Sequence, residues 1–272
     1  MSSSAIPLSP ALPGRRRAIA RIALATGSGL SLHGPLRARQ GVDLLTHYDY
    51  PPFITAPGQG LSYDLAQALS SAMPDLLPQI QPTLLPRRRL DLTLQQPDWQ
   101  GVVPWVVPAW FGDESESRFL WSPPLLADTD LVLSLKSRPV DFNSPSSLRG
   151  LRLGGVAGHR YPDVDAMIDA GELTREDAIN TEQNLRKLLR GRVDVIFLSA
   201  SGLPWWQQQL PEMAASLHIA KQPRNSYLRR ALISRALPKP MQDRLLTVLA
   251  GLREQRAWQT RLARYGLQPA GK

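Results

Sequence analysis

The feature that most restricts the fold is the alternation of elements between residues 151 and 198. Residues 151–156 read as a strand, Gly158 marks a turn, and residues 164–170 read as a helix. A second unit follows, in which Thr181 is placed to cap a helix whose Leu185, Leu188 and Leu189 face inward and which Gly191 closes. It ends in Val193-Asp194-Val195-Ile196-Phe197-Leu198, a short and nearly continuous apolar run. Such a run has no polar face to give to water, so it belongs in a sheet covered on both sides, and parallel strands separated by helices are the arrangement that covers both sides.

The rest of the chain supplies a second set of elements. Residues 42–46 are β-prone, and Tyr50-Pro51-Pro52-Phe53 forces an extended turn because each proline fixes φ and restricts the residue before it. Leu61, Leu65, Ala68, Leu69 and Ala72 then fall on one helical face, which stops before Pro74. Residues 74–104 are rich in proline, with Ile80 and Leu84-Leu85 as strand material and Arg87-Arg88-Arg89 leading into a short element. Residues 130–135 form a strand, the polar stretch 143–147 a loop, and the C-terminal stripes of Met241, Leu245, Val248, Leu249 and Leu252, then Trp258, Leu262 and Tyr265, two helices before Gly266. At 272 residues, two lobes with separate cores are expected in preference to one.

Charge is unevenly placed. Of the net +9, six units come from arginines 15, 16, 17, 21, 37 and 39 in an N-terminal segment without Asp or Glu, which leaves +3 for the remainder. That argues against nucleic acid as a partner. Arg16-Arg17 ahead of the mild apolar run 22–30 reads instead as an export signal over residues 1–40, of the twin-arginine type, with a disordered basic tail as the bland alternative. The absence of cysteine removes disulfides, thiolate metal sites, cysteine nucleophiles and a lipid-attachment site together. No Walker loop, nucleophile elbow or zinc-protease motif is present, and His47 with Asp43 and Asp49 reads as a solvated turn before it reads as a metal site. No cofactor or metal is expected, and no segment of the mature chain is apolar enough to serve as a membrane helix.

Four stretches in order carry a resemblance. Tyr50-Pro51-Pro52-Phe53 with Gly60-Leu61-Ser62-Tyr63-Asp64-Leu65-Ala66, Phe119 to Leu125, Ser147 to Gly154, and Leu189-Arg190-Gly191-Arg192-Val193-Asp194-Val195 are similar to the extracellular solute-binding proteins of family 3. These are periplasmic receptors that feed amino-acid-type ABC transporters. The resemblance implies an α/β, two-lobed periplasmic-binding-protein-like fold with two crossing strands and a ligand cleft that closes on binding. Lobe 1 would comprise residues 41–131 with the return 225–272, and lobe 2 residues 132–224, with crossings near 131–135 and 219–224.

The resemblance also nominates site residues. The family's carboxylate-clamping arginine falls here on Ser115, so Arg118 or Arg160 is the candidate replacement; the bland readings pair Arg118 with Glu114 or Glu116, and Arg160 with Asp163 or Asp165. The family's ammonium-binding carboxylate falls on Ser199. Tyr50 matches a stacking aromatic, with Phe53 beside it or in the core. Trp105 and Trp110 replace small polar residues of the family's cleft segment, offering flat, cation-accepting rings if they do not fill core. His159 and Arg160 sit at the turn into a helix, where N–H groups attract anions.

The expected function is capture of a small organic ligand, amino-acid-like, carboxylate-bearing or aromatic, by a monomeric, non-enzymatic receptor that delivers it to an ABC transporter permease. The alternatives are a sensor's receptor, or an enzyme on the same fold such as a cyclohexadienyl-type dehydratase using His159 or Glu114.

Overall fold

The computed structural model of the chain describes residues 41–270; the expected export segment, 1–40, lies outside them. The first half of lobe 1 runs β1 (Asp43–Thr46), α1 (Leu61–Ala72), β2 (Pro82–Leu84), α2 (Arg87–Thr93), β3 (Gly101–Val106) and β4 (Leu120–Trp121). The long β5 (Leu126–Leu135) leads into lobe 2, made of β6 (Arg152–Val156), α3 (Pro162–Asp169), β7 (Thr174–Ala178), α4 (Thr181–Leu189), β8 (Val195–Ser199), α5 (Leu203–Gln209), α6 (Glu212–Ser216) and β9 (Leu217–Ile219). The chain returns through β10 (Asn225–Ile233) and ends in α7 (Lys239–Gly251) and α8 (Arg256–Ala263).

One sheet passes through both lobes in the order β2-β1-β3-β10-β5-β8-β6-β7, with β4 beside β10 and β9 beside β5. Its outer strands are parallel, and its middle is antiparallel where the chain crosses. The crossing is a shared ladder: residues 225–229 of β10 pair with 126–130 of β5, while 230–233 of β10 pair with β3 and β4. The paired residues adjoin the stretches 131–135 and 219–224 that the resemblance nominates for the crossings.

Burial explains the pattern. Leu61, Leu65 and Leu69 of α1 are fully buried in one core cluster with Leu44 and Leu45 of β1, Val102 and Val103 of β3, and Met73 and Leu77. In lobe 2 the apolar run splits as a doubly covered strand must: Val193, Ile196 and Leu198 join one core cluster, and Val195 joins the cluster on the other face. Asn180, not Thr181, caps α4; its side chain accepts from the Gln183 N–H at 2.9 Å and Thr181 is the first helical residue. Gly191 takes a left-handed φ of 64° after the helix, as a C-terminal stop requires.

The strand β7, with the sequence Thr-Arg-Glu-Asp-Ala, shows no apolar alternation because it lies at the sheet edge, where charged side chains deter pairing with another chain. β3 carries Pro104 in mid-strand. This is accommodated by a bulge: Val103 and Val106 face Leu232 and Arg230, so β3 has one residue more than its partner. Within the bulge Trp105 has φ 69°, a left-handed conformation that an indole-bearing residue takes only when its surroundings hold it.

Candidate functional site

A cavity of about 760 Å³ is walled by segments of both lobes. From lobe 1 come Asp49, Tyr50 and Pro51, in the turn after β1, and Tyr63 on α1. From lobe 2 come His159 after β6, the start of α4 from Asn180 to Glu182, Arg186 one turn further on, and Trp205 and Trp206 of α5. The tight Pro51-Pro52 turn projects Tyr50 inward, where its ring lies 6.1 Å from that of His159 on the opposite wall.

The electrostatics of this cavity are specific. Burial lowers the His159 pKa, with Asp49 opposing and Arg175 adding to the shift, so the imidazole is held as a neutral base. Burial also pushes the Tyr50 hydroxyl well up, keeping it a neutral hydrogen-bonding group. Arg186 pairs with Glu182 at 2.9 Å on the same helix. Asp49 has no ion pair among the described residues. A ligand entering here meets aromatic faces, a carboxylate and the free N–H groups of a helix start, with no unpaired guanidinium.

Behind Tyr50, at the crossing ladder, lies a buried charge network. Arg229 of β10, with a side chain 1% exposed, donates through Nε to Asp128 of β5 at 2.6 Å and through Nη1 to the Trp105 carbonyl at 2.8 Å. Its Nη2 donates to the Tyr227 hydroxyl at 3.1 Å and to Ser199 Oγ at 3.4 Å. Asp128 is held in turn by the Ser201 N–H and hydroxyl at 3.0 and 2.8 Å. Tyr227 passes the network on to Asp130, which pairs with Arg224, and Arg224 pairs with Asp163 of α3. The strained φ of Trp105 thus coincides with a carbonyl engaged by the buried guanidinium. Burial works against the Arg229 charge, but Tyr48, Tyr227 and Asp128 hold its pKa well above the ordinary arginine value.

The residues nominated from sequence divide among three places. Tyr50 and His159 meet in the cavity. Phe53, Trp110 and Ser199 surround Arg229, together with the backbone of Trp105. The Trp105 side chain itself lies in the lobe 1 core, fully buried, stacked parallel to Trp258 and donating to Ser62 Oγ at 3.0 Å. Its indole does not line the cavity.

Arg118 and Arg160 are placed away from the cavity. Asp113 accepts the N–H groups of Arg118 and Phe119 and the Trp121 indole, which pins the Arg118 loop against lobe 1; the exposed Arg118 guanidinium donates to the Phe111 carbonyl at 3.2 Å. Arg160 points into solvent, its side chain 83% exposed, and pairs with Asp165 at 3.4 Å. His47 is packed on Tyr48 and Phe111 rather than grouped with Asp43 and Asp49, and among the described residues no cluster of His, Asp or Glu is placed to hold a metal ion.

Sequence reasoning missed Arg229, Asp128, Tyr227 and Trp206. The available signal was the two-residue spacing in Asp128-x-Asp130 and Tyr227-x-Arg229, which sets each pair on one face of a strand. Placing the crossings off these residues hid it.

Among known proteins, an ancestral arginine-binding protein bound to arginine shares this fold with a TM-score of 0.62 at 15% identity, over 84% of this chain and 98% of that one. The GluR0 ligand-binding core from Nostoc punctiforme in complex with L-glutamate does so with 0.60 at 15%, over 82% and 98%. An ancestral amino-acid-binding protein described as a precursor of cyclohexadienyl dehydratase gives 0.58 at 14%, over 84% and 95%. No family model matches the sequence, and no curated protein matches it. At these identities the likeness shows the fold: that of the two-lobed ligand-binding proteins. Among the described residues no helix is long and apolar enough to cross a membrane.

Proposed function

We propose that the protein is a receptor that captures a small organic ligand between its lobes. The observation that carries this reading is the 760 Å³ cavity with walls from both lobes and a two-strand connection beside it. A ligand held by Tyr50 on one side and by His159 and the start of α4 on the other is favoured when the lobes approach, so binding and closure are linked. The proposed ligand is amino-acid-like or carboxylate-bearing, with the helix start and the Tyr50 hydroxyl offering donors, and aromatic surface suits Trp205 and Trp206. The proposed setting is the periplasm, reached through residues 1–40, with delivery to an ABC transporter permease by a monomeric receptor.

Thermal shift with a panel of amino acids and small carboxylates, followed by calorimetry and small-angle scattering on hits, tests this. A stabilising ligand that reduces the radius of gyration and is recovered unchanged is expected. Recovery of a converted product would instead favour a dehydratase-like enzyme, a reading supported by the neutral His159 facing Asp49 and Tyr50 across the cavity. Tyr50→Ala should weaken binding of any hit about tenfold or more; unchanged affinity would remove the cavity from consideration.

A further inference from the structure

The surroundings of Arg229 exceed what a structural arginine needs. Its guanidinium carbon lies 5.0 Å from the ring centre of Tyr48, 4.8 Å from Phe53, 5.4 Å from Trp110 and 5.0 Å from Tyr227. Four rings, a carboxylate and a carbonyl around one planar cation are the fittings with which a protein holds a cationic ligand. An apolar side chain of similar volume would fill this space without desolvating a charge, so packing alone does not account for a guanidinium here.

The box also stands where ligand recognition is expected. Tyr50, a cavity wall, sets its ring edge-on against Tyr48 at 5.4 Å and Phe53 at 5.8 Å, so the box begins one ring behind the cavity. Its parts come from the segment after β1, from β3, the 3₁₀ turn Pro108–Phe111, the crossing strands and the end of β8.

We propose that Arg229 is a tethered occupant of a cation-binding box at the base of the cleft. The chain supplies its own guanidinium where a ligand's cation would otherwise bind. The cleft therefore refuses ligands that bring a guanidinium or ammonium group to that end and takes those presenting an uncharged group to Tyr50. This consequence for ligand class rests on the reading of the cleft as a binding site; occupation of the box does not.

Chemical rescue is the test. Arg229→Ala is titrated with methylguanidinium chloride at sub-denaturing concentration, with sodium chloride as the ionic control and the unmodified protein in parallel. A rise in melting temperature confined to the variant is expected, corresponding to at least roughly tenfold tighter binding than to the parent. Equal response of the two proteins overturns the proposal. If Arg229→Ala does not fold alone, its recovery from urea is compared with and without methylguanidinium: selective recovery supports the box, and none overturns it. On the parent protein, stabilisation by arginine but not by its uncharged isostere citrulline would overturn the exclusion of cations while leaving the cleft as a binding site. Failure of every ligand on the parent, with rescue of the variant intact, would instead count against the receptor reading alone.

Discussion

Asp128 is the residue whose replacement should most damage this fold for its size. It is 3% exposed and stands 2.6 Å from the Nε of an equally buried arginine. At that distance the attraction is about 6 kcal/mol for an effective dielectric constant near 20, most of it offset by desolvating both charges. Asp128→Ala removes the attraction but leaves Arg229 buried, and also strands the Ser201 N–H and hydroxyl that donate to Asp128. Breaking a buried pair from one side costs about 3–5 kcal/mol. For a chain of this size that corresponds to roughly 6–20 °C in Tm. Urea unfolding followed by circular dichroism should show the midpoint fall with the slope unchanged. Asp128→Leu combined with Arg229→Met, which removes both charges, should restore stability to within about 1 kcal/mol of the parent. A loss below about 1 kcal/mol for Asp128→Ala, or a double variant as damaged as the sum of its parts, would refute the argument that an uncompensated charge is what matters.

Two further effects follow from single residues. Burial, then Arg87, Arg229 and His159, push the His47 pKa down to about 3 from 6.5, so between these values the unfolded chain binds a proton that the fold does not. Stability should therefore rise with pH across that window and level off above it, by about 1.4 kcal/mol per pH unit from this group, and His47→Gln should flatten the profile measured by urea titration between pH 5 and 7 by roughly 2 kcal/mol. Gly60 has φ 123°, and a Cβ there would run into the Phe53 carbonyl; Gly60→Ala should cost on the order of 2 kcal/mol by thermal melt and shift the Tyr50 turn, seen as weaker binding of any cleft ligand.

The parts of the fold visible in the sequence were those with a strong period or a fixed backbone. The α1 stripe, the strands β6 and β8 and the Pro-Pro turn at Tyr50 each follow from local spacing, and they bring Tyr50 and His159 to the cavity. Elements whose residues answer to distant partners were not visible. The charged edge strand β7 hides its period, and the short helices α5 and α6, one of which brings Trp205 and Trp206 to the cavity wall, have too few turns to show one. Arginines were harder still: Arg118, Arg160 and Arg229 look alike in sequence, and only packing separates an exposed ion pair from a caged cation.

What the sequence determined by itself was the α/β alternation, because apolar periodicity leaves few ways to cover those strands; the two-lobed plan was an expectation from chain length and from the resemblance of the four motifs. The tertiary structure decided which cation sits at the centre. That depends on β5 and β10 meeting in one register, which sets Asp128 opposite Tyr227 and places Arg229 beside the bulge at Trp105. Register between strands about a hundred residues apart is fixed by packing on both faces rather than by any local preference. The same fact makes the buried network behind the cavity a property of the whole fold and the cavity walls a property of short segments.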